Sequence, residues 1–421
     1  MTKIIGVRAR QILDSRGNPT VETEVRTRSA VGRASVPSGA SKGKMEALEL
    51  RDGDAGSFHG KGVSKAVSNV NSIIGPKVKG LDAAGQREID ELMIELDGTP
   101  NKERLGANAI LSVSMACARA AADERRASLF TQLKALKVYI LPVPMMNVIN
   151  GGEHAGNELA VQEFLVEPVG ADTCSDAIRM GSEVYQSLKS VLTSKYGRGA
   201  INVGDEGGFA PPLGDTRAAL SAIRHAIADA GYADADVRIG VDAASSTFYA
   251  NGKYKIDGRA LSASELEDYY ASLRDEYDLL TIEDPFEEDS FDSFASITRR
   301  LGRKSAIIGD DIYVTNVARI KEGIEAKATN AVLIKLNQIG TVSETLDAMG
   351  MTRKAGWTVV VSHRSGETED PFIAHLATAF SAPFIKTGAP ARGERVAKYN
   401  ELIRIQEQLG SKARFAGKAF T

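Results

Sequence analysis

Over the last two-thirds of the chain, short unbroken apolar runs rich in β-branched residues alternate with amphipathic stretches. The runs are VRIGVD (237–242), LLTIED (279–284), AIIGDD (306–311), AVLIKLN (331–337), TVVVSHRS (358–365) and FIKTGAP (384–390). A strand with one wet face alternates polar and apolar positions, whereas an unbroken run marks a strand covered on both faces. Most successive runs begin roughly 25–30 residues apart, about one βα unit, so the pattern predicts an α/β fold with a (β/α)8-like barrel. The first third has a different rhythm. TVETEVRTR (20–28) alternates and predicts a strand, and DSRGNP (14–19) before it predicts a turn. LGANAILSVSMACARAAADERR (105–126) repeats small and apolar residues at helical spacing. Strands followed by helices predict an α+β module. The prolines of VYILPVPMMNVINGG (138–152) interrupt an apolar run, and the boundary falls just before it: an N-terminal α+β capping domain over 1–137 and a barrel domain over 138–421.

The ends of the runs carry the chemistry. Asp242, Glu283, Asp310, Lys335, His363 and Lys386 each follow an apolar stretch directly. In a βα barrel these positions lie at the C-terminal mouth, where active sites form. Converging carboxylates repel one another and are stable around a cation; hard oxygen ligands in that number suit Mg²⁺. Salt bridges to arginines are the competing reading, although Arg364 is the obvious arginine at these ends. Lys335 and Lys386, sharing a pocket, would lower each other's pKa, so that one could act as a base while one binds an anion.

Three further stretches add polar groups. VGDEGGFAPP (203–212) sets Asp205 and Glu206 before a glycine pair that lets backbone approach a ligand, and VQEFLVEP (161–168) offers Gln162 and Glu163 at the end of another apolar segment. Each alone is more often a turn than a catalytic acid; together, two glutamates in a closed pocket would raise one pKa and make a proton donor. NGGEHAGN (150–157) carries His154 in a glycine-rich loop, either idle or part of a site. SGASKGKMEALEL (38–50) reads as a solvated loop or as a flap closing on an anion. Assembled, these groups would remove a proton α to a carboxylate and protonate a departing hydroxyl.

Composition narrows the class. The 421 residues are 43% hydrophobic and 25% charged, which excludes a disordered chain, and a net charge of −3 leaves no electrostatic footprint for nucleic acid. Cys117 and Cys174 stand far apart without a CxxC, which fits a reducing cytoplasm. Arg8 and Arg10 interrupt the first apolar run, and no run approaches bilayer length, so neither a signal peptide nor a membrane partner is expected.

DSRGNPTVE, VPSGAS, LGANAIL, PVPMMNVINGG, GDEGGFAP, IEDPF, KLNQIGT, SHRSGETED and IKTGAPARGER stand in this order along the chain, which by them resembles the enolase (phosphopyruvate hydratase) family over nearly its whole length. The resemblance implies an α+β domain on an atypical barrel whose first strands break βα order, two Mg²⁺ per site, and a homodimer or larger homo-oligomer. It implies that Asp242, Glu283 and Asp310 bind the first Mg²⁺ and that Ser41 helps bind the second. It implies Lys335 as base at C2 of 2-phosphoglycerate and Glu206 as acid at the C3 hydroxyl with Glu163 beside it. Lys386 would sit by the substrate carboxylate, Arg364 and Ser365 would hold the phosphate, and His154, Gln162 and His363 would line the pocket. SGASKG departs from the usual SGASTG through Lys42, an added cation on the flap. It fits a substrate with more negative charge, as in the enolase relative carboxyphosphonoenolpyruvate synthase, which joins a phosphonoformyl group to a three-carbon unit. An inactive binding protein on the same fold is the third reading; retention of Lys335, Glu206 and the metal carboxylates speaks against it.

Overall fold

Backbone pairing in the computed structural model, which describes residues 2–39, 43–152 and 155–420, organises the chain around a small open sheet and a closed barrel. The open sheet is an antiparallel meander of β1 (Gly6–Leu13), β2 (Pro19–Arg26) and β3 (Val31–Ser35). The DSRGNP turn joins its first two strands: the Asp14 carboxylate accepts the amides of Arg16 and Asn18, both at 2.9 Å. Helix α1 (Gln86–Asp97) and helix α2 (Ala107–Glu124) follow. Helix α2 lies within the span expected from spacing, and its small residues are buried nearly all round, because β2 and β3 pack on it.

The barrel begins with β4 (Val143–Asn150) and β5 (Glu163–Glu167), with no α-helix among the described residues between them. Helices α3 (Cys174–Tyr196) and α4 (Thr216–Asp229) come next, then β6 (Arg238–Asp242) and α5 (Ala263–Tyr277). Regular βα units complete the ring: β7 (Thr281–Glu283) with α6 (Phe291–Leu301), and β8 (Ala306–Gly309) with α7 (Val317–Ala326). They continue with β9 (Ala331–Ile334) and α8 (Val342–Lys354), then β10 (Thr358–Ser362) and α9 (Phe372–Ala379). The last unit is β11 (Phe384–Lys386) with α10 (Gly393–Leu409). The strands close in chain order; β5 is antiparallel to both neighbours and all other pairs are parallel. Val143, Met145, Leu165, Ile308, Leu333, Val360 and Phe384 fill the interior, while alternate residues such as Ile282, Ile307 and Val361 pack outward. No described helix is long and apolar enough to cross a membrane.

Two details differ from expectation. Pro144 does not interrupt its run but sits inside β4. Val143 donates its N–H toward β11, to Pro383 O at 2.8 Å, so the N–H that Pro144 lacks would face β5. Pairing with β5 starts only at Met146, and the missing donor breaks no bond. Second, Gln162 and Glu163 do not end a strand. Glu163 opens β5, and because β5 runs backwards its first residue reaches the mouth while Glu167 reaches the floor.

At that floor Glu167 is fully buried; its Oε1 accepts Thr281 Oγ1 at 2.6 Å, and Oε2 has no hydrogen-bond partner among the described residues. Burial pushes its pKa up to about 7, against the pull of Thr281 and Arg238. A folded-state pKa raised above the unfolded value means that the protonated carboxyl suits the fold, so stability is lost as pH climbs from the unfolded pKa toward 7. Glu167→Gln removes that loss. Between about pH 5 and pH 8 the stability difference between variant and wild type should move in the variant's favour by about 2 kcal/mol, read by urea denaturation at each pH. A difference independent of pH would show that Glu167 does not titrate there.

Candidate active site

Strand register gathers the charged residues. Asp242 pairs with Glu163 on one side and Glu283 on the other, so three carboxylates stand at the ends of adjacent strands. Gln162, Glu163, Glu206, Asp242, Asp310, Lys335, His363, Arg364, Ser365 and Lys386 all line a single cavity at the mouth, and Glu283 is tied to it through Lys386. Ser41, Lys42 and His154 lie outside the described residues.

Lysines, not arginines, balance the carboxylates. Lys386 Nζ lies 2.7 Å from Asp242, 2.9 Å from Glu283 and 3.1 Å from Glu163. Lys335 Nζ pairs with Asp310 Oδ2. The two lysines were expected to depress each other's pKa, and they do not prevail. Burial pulls the Lys386 ammonium down, but Asp242, Glu163 and Glu283 hold it well above the usual lysine value. Burial likewise opposes the Lys335 charge, with Arg364 and Lys386 on the same side, and Asp310 still brings the balance above the usual value.

The donor set fits a hard divalent cation. Asp242, Glu283 and Asp310 are buried oxygen donors, and Glu283 Oε1 has no hydrogen-bond partner among the described residues. The carboxylates whose oxygens crowd within 4.8 Å are, however, Asp284, Asp310 and Asp311. The run-end pattern passes over Asp284 and Asp311, although both follow the expected ligands directly. Asp284, at φ +41°, accepts the amides of Asp310 at 2.9 Å and Asp311 at 2.8 Å, and so fixes the end of β8. Burial, then Asp311, drives the Asp284 pKa well up; burial, then Asp310, brings Asp311 up to about 7.

Across the cavity, Glu163, Glu206 and His363 form a second cluster within 4.8 Å. Burial and then the Glu206 charge raise the Glu163 pKa well above the carboxylate range. Glu206 Oε2 accepts Asn147 Nδ2 and faces His363 Nε2, both at 3.3 Å. Burial brings the His363 pKa down to about 4, so the imidazole is neutral at pH 7. The glycines after Glu206 were expected to admit a ligand, but a Cβ at Gly208 would meet Asn147 Oδ1 and Asn150 Oδ1 at 2.7 Å. That closeness positions Asn147 against Glu206.

Arg364, an expected phosphate holder, is already paired. Glu46 meets its two terminal nitrogens at 3.0 and 3.1 Å, and Asn337 Oδ1 accepts at 3.0 Å. Burial opposes the guanidinium charge, but Glu46 outweighs it and its pKa rises. Arg16 Nη1 reaches Ser365 Oγ at 3.3 Å. Neither Glu46 nor Arg16 follows an apolar run, so run ends point to neither; both do lie within or beside glycine-bearing motifs already singled out.

The central role of Lys386 is testable. Lys386→Met leaves buried carboxylates without their shared cation, and breaking such a cluster from one side costs about 3–5 kcal/mol. Urea denaturation in EDTA should show that loss, and MgCl₂ should recover part of it. A variant as stable as wild type in EDTA would refute the assignment.

The sequence comparisons agree along the whole chain. The family model described as "Enolase, C-terminal TIM barrel domain" matches residues 138–421, and "Enolase, N-terminal domain" matches residues 4–133. The protein named "Enolase" from Methanocaldococcus jannaschii is 58% identical over 413 residues, covering 98% of this chain and 96% of its own. "Enolase" of Methanococcoides burtonii is 56% identical over 97% of this chain and 96% of its own, and that of Thermococcus kodakarensis is 55% identical over 99% and 98%. With both of its parts matched and more than half of its residues shared with full-length relatives, the chain belongs to the enolase family of lyases.

Proposed function

We propose that this protein is a Mg²⁺-dependent hydro-lyase that dehydrates 2-phosphoglycerate to phosphoenolpyruvate. The observation that carries the reading is topological. Lys335 follows β9 and Glu163 opens β5, four strands apart in a ring of eight, so base and acid pair face each other across the mouth. Removing a proton and a hydroxide from opposite sides of a three-carbon acid needs that arrangement.

In the proposed reaction Lys335 Nζ takes the C2 proton, and Arg364 and Lys386 favour its neutral form while Asp310 opposes it. The electron pair left at C2 forms the C2–C3 double bond. The C3–O bond breaks as Glu206 protonates the hydroxyl, which departs as water. Glu163 shares the proton held by the glutamate pair, since two adjacent buried carboxylates do not both ionise. Arg364 and Ser365 would hold the phosphate, Lys386 would face the substrate carboxylate, and Gln162, His363, His154 and Lys42 would line the site. Asp242, Glu283 and Asp310 would hold one Mg²⁺, and Ser41 would help hold another. When bound, the ions supply positive charge against the dianion formed on loss of an α-proton. A cytoplasmic homodimer or larger homo-oligomer, and a division at residue 138, complete the reading. The carboxyphosphonoenolpyruvate synthase reading rested on Lys42, and no described side chain favours it.

Purified protein with Mg²⁺ and 2-phosphoglycerate should generate phosphoenolpyruvate absorbance without any added donor. Absence of dehydration, with a new phosphonate product on adding phosphonoformate, would overturn the reading. Lys335→Ala should lose at least about a thousandfold in kcat yet keep the thermal shift that Mg²⁺ induces in the wild type. Dehydration within about tenfold of wild type would remove Lys335 as the base.

A further inference from the structure

Arg395, on α10, has no part in the proposed chemistry and is not singled out by the run ends, yet it is among the largest fully buried side chains. Its guanidinium is held by backbone. Nη1 donates to Arg364 O at 2.6 Å, and Nη2 donates to Ser365 O at 2.6 Å and to Asp205 O at 3.1 Å. Gly388, at φ +83°, makes room for it, since a Cβ there would lie 2.7 Å from Arg395 Cδ. Nη1 also points at His363 Nδ1, 2.5 Å away.

A guanidinium has donors only and keeps its proton at any physiological pH. The nitrogen it faces must therefore accept, which leaves the imidazole hydrogen on Nε2. Nε2 stands 3.3 Å from Glu206 Oε2. A second proton on His363 would set an N–H donor against the arginine's own. Burial is the first obstacle to a charge on the ring; the charged groups around it are Glu206 at Nε2, Arg395 at Nδ1, Glu163 within 4.8 Å, and Glu367.

We propose that Arg395 is a positioning residue that locks His363 as the neutral Nε2–H imidazole, so that His363 gives Glu206 a hydrogen bond and is barred from donating a proton to the substrate. On this reading His363, expected to line the pocket, orients Glu206 and leaves the acid role to the glutamate pair. Its functional meaning rests on the proposed dehydration; its primary test does not.

That test is ¹⁵N NMR of full-length, histidine-labelled protein with Mg²⁺, the His363 signals being assigned by their loss in His363→Gln. The expected result is an unprotonated Nδ1 and a protonated Nε2, unchanged from about pH 5.5 to pH 8.5. An Nδ1–H tautomer, or an imidazolium forming with a midpoint near the ordinary value of about 6.5, would overturn the proposal. In Arg395→Met the ring should show mixed tautomers, and kcat should fall at least about tenfold with KM changed less than about threefold. An unchanged tautomer in folded Arg395→Met would equally overturn it. If that variant does not fold, the wild-type spectrum decides alone. Loss of dehydration in the wild type would strike the proposed function and leave the tautomer result standing.

Discussion

A barrel mouth that buries several carboxylates must supply positive charge at atomic distance, and Lys386 is where this molecule meets that demand. Its ammonium sits between Asp242, Glu283 and Glu163, all three contributed by neighbouring strands in fixed register. Burial of each group alone would be prohibitive, because the ionised form loses its hydration. The cluster stands only because the strand ends converge, and they converge only because the ring closes. Fold and site are thus one constraint: a one-residue slip in β6 or β7 would turn a carboxylate into the apolar shell. Asp284 extends the same logic: its carboxylate, on a residue with positive φ just after β7, accepts two backbone N–H hydrogen bonds from the end of β8. Strain of this kind persists where surrounding structure over-determines it.

The reversed strand β5 gives the mouth its chemical asymmetry. Regular βα units deliver residues from their C-terminal ends, and here those residues include both lysines. An antiparallel strand delivers its first residue instead, and Glu163 arrives beside Glu206 with no lysine of its own strand in competition. The same reversal sends Glu167 to the floor, where the buried carboxyl bonds Thr281 and feels Arg238 but has no ion pair among the described residues. One topological exception therefore accounts for an acid pair at one end of the barrel and a buried titratable group at the other.

What could be read along the chain follows from these physics. Unbroken runs reveal strands covered on both faces, and the residue after each run reveals the mouth, so Asp242, Glu283, Asp310, Lys335, His363 and Lys386 were legible one by one. Direction was not: VQEFLVEP looks the same whichever way β5 runs, and only pairing with β6 decides. Pro144 misled because a missing N–H matters only on a side that pairs, and sequence does not say which side that is. Charge balance was hidden as well. Carboxylates and lysines were each recognised, but whether a lysine or another cation sits between the carboxylates depends on distances. Glu46, Arg16 and Arg395 act from a loop, a turn and a helix, where no apolar run points to them.

Glu46 shows what this means for an arriving anion. Arg364 is a buried guanidinium whose two terminal nitrogens already meet a carboxylate, with Asn337 as a further acceptor. An anion reaching it gains the difference between its own contacts and those of Glu46, not the full strength of a bare pair. A planar carboxylate would merely exchange like for like. A tetrahedral dianion offers more charge and a third oxygen, which Ser365, bonded to Arg16, can meet. The same ion pair anchors the segment from Gly43 onward, since Glu46 also accepts the Gly43 amide at 3.2 Å. On the proposed reading, anion binding at Arg364 and the seating of that segment are therefore coupled through the one Glu46 carboxylate.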